Sequence, residues 1–533
     1  MITEVYLLNV PIENDYKHTL YFTSKSAQET YFKSKKVANY SYDDFSFQQT
    51  NGMMRLPISY DNAVNCNYVM YKNNSKWYYA FIVEYQYHGD DQTNIKIETD
   101  VIQTWLFDYQ IKPSFVEREH VTDDTIGLHT FPEGLEMGEY VVNYKYVHNP
   151  FTDLKIVVGV TENYMGELGN IAKQYNGIYS GLIYYAFDNN MAGYIALNNF
   201  IQAYADSKVS TTEAIQCMFL APSVMCKTAH DEDSNREDYG IYSVASTDLG
   251  KINISRTKIL QNKSYTPKNN KLYCYPYKYL HVSNNNGGSA IYQLEHFAIN
   301  GATGSGVIFQ LDGCLTPGCS IRAVPKYYKG TDAFEGSLDN DEEGINMGKY
   351  PILNWSSDVY TNWLTQNGVN IGLNLVSGLG SIVAGGAIMS ATGGALGGTG
   401  VVGGITQITS QLGQIHQMSM TPPQSNGNIN SGDVITASGK NSLFFYGMSI
   451  KDEYMRIIDD YFSMFGYKCN RVKVPNKNHR PGWWYTKTID ANIIGNVPQS
   501  DLQLIKTCYN NGITFWKDPD NVKNYSINNQ LGI

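Results

Sequence analysis

Short aromatic and β-branched runs, separated by turn residues, dominate the first part of the chain. From Asn67 the sequence reads NYVMYKN, a turn at NS, KWYYAFIVEYQYH, a turn at GDD, and then QTNIKIETDVIQTWLF. Such runs bounded by Asn, Ser, Gly and Asp are typical of antiparallel strands joined by tight turns. They predict a β-meander. Similar runs predict further strands near Val157, Leu182 and Tyr292, and at WWYTKTI and ITFW towards the C-terminus.

Two segments have the periodicity of helices. SKSAQETYFKSKK carries Ser26 and Glu29 at the three-residue spacing of a capping box. DEYMRIIDDYFSMFGYKCN is predicted to form an amphipathic helix that ends at Gly466 and packs against the core. Six of its apolar side chains fall at helical spacing: Tyr454, Ile457, Ile458, Tyr461, Phe462 and Phe465.

A third region has a very different pattern, because no Asp, Glu, Lys or Arg occurs between Asp358 and Asp433. Its centre, IGLNLVSGLGSIVAGGAIMSATGGALGGTGVVGGITQI, runs from Ile371 to Ile408. Small residues recur there at every fourth position, a spacing that lets helices approach closely in lipid. We expect close packing at one series of Ser377, Ser381 and Gly385 and at another of Gly386, Ser390, Gly394 and Gly398.

Other features of this region argue against a permanent transmembrane helix. Twelve glycines lie between Gly372 and Gly404, and each costs a helix up to ~1 kcal/mol relative to Ala in water. No Lys or Arg occurs between Lys349 and Lys440 to set an orientation in a membrane. The pattern favours a flexible segment that is kept from water in one state and enters lipid in another.

The apolar side chains of this segment are the candidate membrane-active residues. A Gly-rich helical hairpin, buried in the protein's own core or along an oligomer axis, explains the same composition. The two interpretations are compatible, because an assembly must bury such segments before use. The candidate residues are Ile371, Leu373, Leu375, Val376, Leu379, Ile382, Val383, Ile388, Met389, Leu396, Val401, Val402, Ile405 and Ile408.

A chain of 533 residues is long enough for several packed units. Its 43 Tyr and 47 Gly residues favour sheets and turns, so the predicted class is mainly β, with barrel or sandwich domains and a minor helical content. The predicted parts are an N-terminal β domain over 1–125, a second and a third β domain over 126–245 and 246–357, the hydrophobic insertion over 358–440, and a C-terminal α/β segment over 441–533.

Charge and cysteine usage exclude two classes of protein. A net charge of −10 does not suit a protein that grips nucleic-acid phosphates. The densest basic stretch, from Asn470 to Arg480, is interrupted by Asn, Val and Pro and is predicted to be a solvated loop. Eight cysteines without a C-x-x-C pair do not form a disulfide framework. Free thiols are favoured, although DGCLTPGC (312–319) is able to bridge a turn.

Enzyme signatures are missing from the sequence. It contains no GxxxxGK[ST], H-E-x-x-H or G-x-S-x-G motif, and its ten histidines lack metal-ligand spacing. DNDEEG (339–344) begins like a calcium loop, but the twelfth position is Tyr350 where Glu is needed. We therefore expect no catalytic residue, no metal and no cofactor. The start of the chain, with Glu4 and strand-like apolar residues, shows no export signal.

Four stretches taken together resemble the distal tail-tube or tail-knob proteins of small short-tailed bacteriophages with protein-primed linear genomes. These stretches are YLLNVPIENDYKHTLYF, DVIQTWLFDYQIKPSFVEREHV, KLYCYPYKYLHVSNNNG and IIDDYFSMFGYKCNRVKVPN, with the insertion between the third and the fourth.

The resemblance implies a location and a set of partners. It implies a protein made in the host cytoplasm that forms a hexameric, mainly β tube at the distal end of the virion tail, with other tail and collar proteins as neighbours. Genomic DNA would pass through the lumen without sequence-specific binding. The insertion would plug the lumen and then form a pore in the host cytoplasmic membrane.

A second interpretation remains open at this stage. Aromatic residues make up 13% of the chain and many Tyr stand in polar surroundings, which suits a carbohydrate-binding or carbohydrate-cleaving surface adhesin. HDEDSNRED, from His230, contains enough carboxylates for sugar hydrolysis, but acidic residues clustered in one loop are usually solvated. The adhesin hypothesis gives no reason for the uncharged insertion.

Overall fold

The computed structural model of the chain is built mainly of strands, which confirms the predicted fold class. It describes residues 4–42, 52–149, 154–162, 174–175, 178–179, 183–188, 190–207, 214–223, 226, 248–284, 288–297, 306–312, 320–329, 344–349, 352–353 and 442–528.

The strands lie along the whole described chain. In order they are β1 (Val5–Leu8), β2 (His18–Leu20), β3 (Lys36–Tyr42), β4 (Met53–Leu56), β5 (Tyr68–Asn73), β6 (Lys76–Gly89), β7 (Gln92–Thr99), β8 (Tyr109–Ile111), β9 (Ser114–Glu119), β10 (Tyr140–His148), β11 (Leu154–Val160), β12 (Gln174–Tyr175), β13 (Ile178–Tyr179), β14 (Ile183–Asp188), β15 (Ile215–Pro222), β16 (Asp248–Ser255), β17 (Lys278–Ser283), β18 (Ser289–Tyr292), β19 (Gly306–Asp312), β20 (Ser320–Lys326), β21 (Ile345–Lys349), β22 (Ile352–Leu353), β23 (Leu443–Ile450), β24 (Tyr467–Lys473), β25 (Trp483–Ile489), β26 (Ile493–Gly495) and β27 (Ile513–Trp516).

Helices are fewer and mostly short. In the described parts of the chain they are α1 (Lys25–Ser34), α2 (Tyr60–Ala63), α3 (Val101–Trp105), α4 (Met191–Asp206), α5 (Arg256–Leu260), α6 (Asp452–Phe465) and α7 (Gln499–Asn511), with 3-10 turns at Asn270–Tyr273, Leu294–His296 and Pro519–Asn521. None of these described helices combines the length and the apolar character that crossing a membrane requires.

The chain forms two units and passes between them repeatedly. Unit 1 contains Met1–Tyr140, Ser264–Tyr277 and Ile450–Ile533, and unit 2 contains Val141–Lys263 and Lys278–Ser449. The first and last parts of the sequence thus fold together. The finer five-part division stays a prediction.

A six-stranded antiparallel sheet, in the order β3-β1-β5-β6-β7-β4, forms one layer of unit 1. It contains the predicted meander. The third predicted run is shorter than expected, because β7 ends at Thr99 and α3 begins two residues later. Asp100 causes the change, since its carboxylate accepts hydrogen bonds from Ile102 N at 3.1 Å and Gln103 N at 3.0 Å and so caps the helix.

A second sheet of unit 1 has the order β2-β27-β25-β9-β24. Its β2 and β27 strands run parallel, although they lie at opposite ends of the sequence. Buried aromatic side chains of both sheets share one core cluster, which includes Tyr68, Trp483 and Trp516. The indole rings of the two tryptophans stack with their centroids 5.1 Å apart. Much of the aromatic content is therefore core material.

Unit 2 contains three four-stranded sheets, in the orders β10-β23-β17-β18, β14-β11-β15-β22 and β16-β19-β20-β21. Their buried side chains form one continuous apolar cluster. Phe309 of β19 and Phe445 of β23 meet edge to face in it, with ring centroids 5.3 Å apart. The predicted strands near Val157, Leu182 and Tyr292 correspond to β11, β14 and β18.

The first predicted helix is present, but its cap is different. The Oγ atom of Ser24 accepts a hydrogen bond from Ala27 N at 3.1 Å, so Ser24 caps α1. Ser26, the predicted cap, lies inside the helix, and its carbonyl accepts from the Thr30 hydroxyl at 2.8 Å. The capping box at Ser26 and Glu29 was wrong by two residues, because both serines are good caps and the sequence does not choose between them.

The second predicted helix, α6, ends at Gly466 as expected. Its buried face differs from the predicted stripe. Ile457 is 66% exposed, whereas Met455, Asp459 and Ser463 are buried. The reason is that α6 packs against polar backbone as well as apolar side chains, so polar residues occupy part of its inner face.

The six cysteines that the structure describes are all free thiols, as expected for them: Cys66, Cys217, Cys226, Cys274, Cys469 and Cys508. Cys314 and Cys319 of the possible turn bridge lie outside the described residues. So do the acidic stretch from His230 to Gly240 and nearly all of DNDEEG.

Gly466→Ala tests whether the end of α6 needs glycine. Gly466 has φ 67° and ψ −152°, a conformation almost restricted to glycine. A Cβ atom there would lie 2.2 Å from the carbonyl oxygen of Glu119. We expect a loss of more than about 3 kcal/mol of unfolding free energy, measured by urea unfolding with tryptophan fluorescence.

Gly482→Ala is the matched control. A Cβ atom at Gly482 would meet Ile527 Cδ1 at 3.4 Å, which is ordinary contact, and its φ is not positive. This variant should unfold within about 1 kcal/mol of the parent. Equal midpoints for the two variants would contradict the assigned role of Gly466.

Candidate functional site

Every candidate membrane-active and close-packing residue lies between Ile371 and Ile408, outside the described residues. The strands nearest to the insertion are described. They show how unit 2 holds the chain before and after it. They also show which part of unit 1 the chain enters next.

The strand before the insertion is short and lies at a sheet edge. β22 has two residues, Ile352 and Leu353, which pair with Phe219 and Met218 of β15. At this edge β22 has one described neighbouring strand. The last described strand before the insertion is thus held by two residue pairs, and the strand before it, β21, pairs with β20 in another sheet of unit 2.

The strand after the insertion is long and central. β23 has eight residues and lies between β10 and β17. Six consecutive residue pairs, from Phe444↔Ser283 to Ser449↔Lys278, join it to β17. Leu443 and Phe445 are fully buried in the core of unit 2. The downstream side of the insertion therefore begins at a firmly held strand, which leads directly into α6 of unit 1.

Asp459 of α6 joins this helix to the middle segment of unit 1. Its buried carboxylate accepts hydrogen bonds from the Tyr265 hydroxyl at 2.5 Å, Lys268 N at 2.7 Å, and Asn269 N and Nδ2 at 3.0 and 2.7 Å. Burial and then the carboxylate raise the pKa of Tyr265, so its hydroxyl remains a donor. Such charge-assisted hydrogen bonds fix residues 264–277 against α6.

Glu133 lies in the centre of the same region. Its fully buried carboxylate forms ion pairs with Arg118 of β9 and with Lys271, and accepts a hydrogen bond from Lys468 N at 2.9 Å. Arg118 also donates to the carbonyl of Gly466 at 2.7 Å. Burial lowers the pKa of Lys271, and Glu133 opposes that shift. One carboxylate thus connects three separate stretches of sequence.

Glu119 holds the stretch that was predicted to be a solvated basic loop. It pairs with Lys473 and accepts from Asn476 N at 3.0 Å. At the end of that stretch His479 and Arg480 are buried. The prediction was therefore wrong at both ends of the stretch. Residues 470–473 belong to β24, and at the other end His479 packs against the rings of His120 and Trp484 while backbone carbonyls accept hydrogen bonds from Arg480. Arg480 donates to the carbonyls of Ser463 and Ile527.

Two buried histidines complete the arrangement. The His120 and His479 rings stack with centroids 5.4 Å apart. His120 Nδ1 accepts from Tyr485 N at 2.7 Å, and Nε2 lies 3.2 Å from the carbonyl of Ser463, to which only a protonated Nε2 is able to donate. This geometry fixes a neutral imidazole. Burial lowers the pKa of His120 well below its usual range, with Arg480 adding to the effect.

We call these residues the junction cluster; its members come from parts of unit 1 that the chain visits three separate times. It supplies no open nucleophile or acid-base pair, and no group of His, Cys, Asp and Glu suited to holding a metal ion occurs within the described ranges. The arrangement is suited to holding segments together. Its members are Arg118, Glu119, His120, Glu133, Lys271, Asp459, Lys473, His479 and Arg480.

Sequence reasoning missed the junction cluster. Asp459 is the one acid among the buried residues of α6, which is a weak signal for a buried polar contact. Its partners lie about 190 residues earlier, and those of Glu119 lie more than 350 residues later. The sequence alone does not indicate which of these distant residues are in contact.

Comparison with known proteins gives two family matches. The family described as Bacillus phage phi29, Tail knob protein gp9, C-terminal domain, matches residues 242–530. The Caudoviral major tail protein N-terminus matches residues 2–110. The tail knob protein gp9 of Bacillus phage phi29 is 28% identical, and that of Bacillus phage PZA is 27% identical, each over 98% of both chains.

A solved structure has the same fold. The bacteriophage C1 tail knob protein, gp12, superposes with a TM-score of 0.67 over 100% of both chains, at 14% sequence identity. At that identity the likeness concerns the fold alone.

Glu133→Gln tests the central ion pairs of the junction cluster. The amide leaves Arg118 and Lys271 buried without a countercharge, which typically costs about 3 kcal/mol or more. We expect a corresponding fall in the urea midpoint of unit 1. Glu139→Gln is the control, because the Glu139–Lys451 pair is largely exposed and should leave the midpoint unchanged. Similar midpoints for both variants would contradict the role of Glu133.

The burial of His479 leads us to expect that the protein loses stability in acid. Burial, with Lys473, Lys517 and Arg480 nearby, lowers the pKa of His479 to about 3, against about 6.5 in an unfolded chain. Between these values the unfolded state binds more protons, so this stabilisation is complete above pH 6.5 and declines as the pH falls. By pH 4.5 the loss should reach about 3 kcal/mol.

The measurement compares the parent with His479→Phe by urea unfolding at pH 7 and 4.5. Asp100 and Asp124, whose buried carboxyls have a pKa raised to about 6, act in the opposite direction but are common to both proteins. The parent should lose more stability than the variant. His88→Gln, which changes an exposed histidine, should behave like the parent. Identical pH dependence of parent and His479→Phe would overturn the assignment.

Proposed function

The chain belongs to the tail knob family of gp9 from Bacillus phage phi29, and from this membership we propose a role in delivering DNA from the virion. As a tail knob protein it is a structural component of a short-tailed phage, located in the distal tail. The resemblance found in the sequence is thereby confirmed.

We propose that copies of the chain form a ring, a hexamer as the family resemblance implies, with DNA passing through its lumen. A net charge of −10 on each copy supports this role, because such a surface does not hold a polyanion in place. Neighbouring tail and collar proteins are its proposed partners. The role is structural rather than catalytic.

The observation that carries the membrane part of the proposal is the uncharged region between Asp358 and Asp433. Before infection, the insertions of neighbouring copies cover one another in the lumen and keep their apolar side chains from water. On release they enter the host cytoplasmic membrane. The apolar positions from Ile371 to Ile408 then face lipid, while the small residues at every fourth position allow close packing.

The structure on the downstream side of the insertion supports this proposal, in which the insertion moves while the rest of the chain stays folded. A segment that changes its environment during use needs ends that remain in the folded part of the molecule. β23 provides such an end, because it is central in its sheet and continues into α6 and the junction cluster. The tube can therefore stay folded while the insertion moves.

The adhesin alternative loses much of its basis. It depended on the high aromatic content, and many aromatic side chains of the described chain are buried in the core, including Trp483, Trp516 and Tyr68. Core packing therefore accounts for part of that content.

Deleting residues 368–422 tests the membrane role. We expect the variant to form the same oligomers as the parent, because the described strands on both sides are retained, but to lose all dye release from liposomes. Dye release is measured from pH 7 to pH 5 with purified protein, and oligomers are sized by light scattering.

Deletion of 424–430 is the control, because it shortens the polar part of the same uncharged region. It should leave dye release intact. Equal leakage from the 368–422 deletion and the parent would refute the membrane role, as would a parent that releases no dye under any of these conditions.

A further inference from the structure

The hairpin formed by β6 and β7 in unit 1 carries an aromatic side chain that its own copy leaves uncovered. Tyr87 is 63% exposed, the largest exposed fraction of any aromatic residue in the described parts of the chain. β5 pairs with β6 no further than Phe81, so the rest of the hairpin extends beyond β5. The ring of Tyr87 is therefore within reach of a partner.

The hairpin holds this ring in place before any partner arrives. Tyr87 lies opposite Thr93 of β7, and its hydroxyl donates to Asp90 Oδ1 at 2.7 Å. Two residues earlier, the Tyr85 hydroxyl donates to the carbonyl of Cys66 and so attaches the hairpin to the chain before β5. An aromatic side chain fixed in this way loses little conformational entropy on binding.

The charge of the hairpin tip, residues 87–91, is negative. Asp90 and Asp91 are both exposed. The ion pair that the structure describes in this hairpin joins Glu84 to Lys96 at 3.9 Å, so both aspartates remain without a cation among the described residues. The hairpin tip therefore combines one exposed ring with two carboxylates that no described cation neutralises.

Three exposed apolar side chains form a row across the second sheet of unit 1. Val472 of β24 and Ile489 of β25 both pair with Phe115 of β9, so the three lie side by side on adjacent strands. They are 69%, 53% and 37% exposed in that order. β24 lies at the edge of its sheet, with β9 as its one described neighbour. Contiguous apolar surface of this kind, which we call the apolar row, marks a site of interaction.

Positive charge lies beside the apolar row. Lys506 of α7 lines one surface depression together with all three apolar residues. Arg471, which precedes Val472, is exposed. Asp490 is the one acid among the residues that line this depression, so the basic groups outnumber the acidic one. The apolar row thus has a basic border, in a chain whose net charge is −10.

We propose that the hairpin tip of one copy docks on the apolar row of the next copy. Tyr87 packs on the apolar row, and Asp90 and Asp91 lie against the two basic side chains beside it. The two surfaces match in apolar character and are opposite in charge, which is the reason for assigning a second copy of the chain as the partner.

This contact suits a ring. Both surfaces are exposed in a single copy, so they do not cover each other within it. A contact between two different surfaces of identical chains repeats from copy to copy, and it closes into a ring where the rotation allows. The inference rests on the proposed ring and adds the surfaces that join its members.

Substitution of the docked side chains tests the contact in the full chain. Tyr87→Ser and Val472→Ser should each weaken self-association about tenfold or more, because each removes a central apolar contact. Self-association is measured by mass photometry over a dilution series, and circular dichroism should show an unchanged fold. Ile457→Ser is the matched control, because Ile457 of α6 is 66% exposed and belongs to neither surface. It should associate like the parent.

Reversal of charge tests the pairing of the two surfaces. A chain with Asp90→Lys and Asp91→Lys, and another with Arg471→Glu and Lys506→Glu, should each associate about tenfold more weakly than the parent. All four substitutions in one chain should restore most of the lost affinity, because the two surfaces then carry opposite charges again.

The outcomes distinguish this contact from the ring itself. Unchanged self-association in Tyr87→Ser, or no recovery in the chain with all four charge reversals, would overturn the contact and leave the ring in place. A parent that remains a single copy at every concentration would overturn both the contact and the ring.

Discussion

Ionised side chains buried away from water must be paired, and the architecture of unit 1 depends on how this is achieved. Arg118 and Lys271 pair with Glu133, whereas Arg480 and Asp459 are held by hydrogen bonds. The desolvation of each is tolerable only while its partners stay in place. These partners come from the first, middle and last parts of the sequence. The need for these partners therefore holds the three stretches of unit 1 together as one folded unit.

This requirement also connects the fold to its family role. α6 carries Asp459 and follows directly after β23, the strand that begins downstream of the insertion. In the proposed role, the folded part of the chain would have to stay assembled while the insertion moves. Buried ion pairs that share one carboxylate, as Arg118 and Lys271 share Glu133, suit this role, because neither cation is tolerable without it.

Local patterns in the sequence were enough to predict local structure. The meander over β5 to β7 and the end of α6 at Gly466 follow from turn residues, periodicity and the conformational freedom of glycine. The prediction that the strand continues beyond Thr99 was wrong. The carboxylate of Asp100 caps a helix there, although the residues that follow it favour strands. The predicted burial of Ile457 was wrong. Helical periodicity gives the spacing of a buried face, but it does not show which polar residues the packing partner requires.

Contacts between residues far apart in the sequence could not be predicted. The junction cluster brings together residues that are separated by hundreds of positions in the sequence. Composition alone did identify the uncharged insertion, because the absence of charge over so long a stretch is a property of the sequence itself.

The unequal anchors of the insertion have a mechanical consequence. A pull on the insertion loads two strands in different ways: β22 resists through two residue pairs at a sheet edge, while β23 resists through ladders on both of its sides. The upstream strand is the weaker attachment and yields first. Under tension the insertion would therefore lengthen from its upstream end, with β23 serving as the fixed tether.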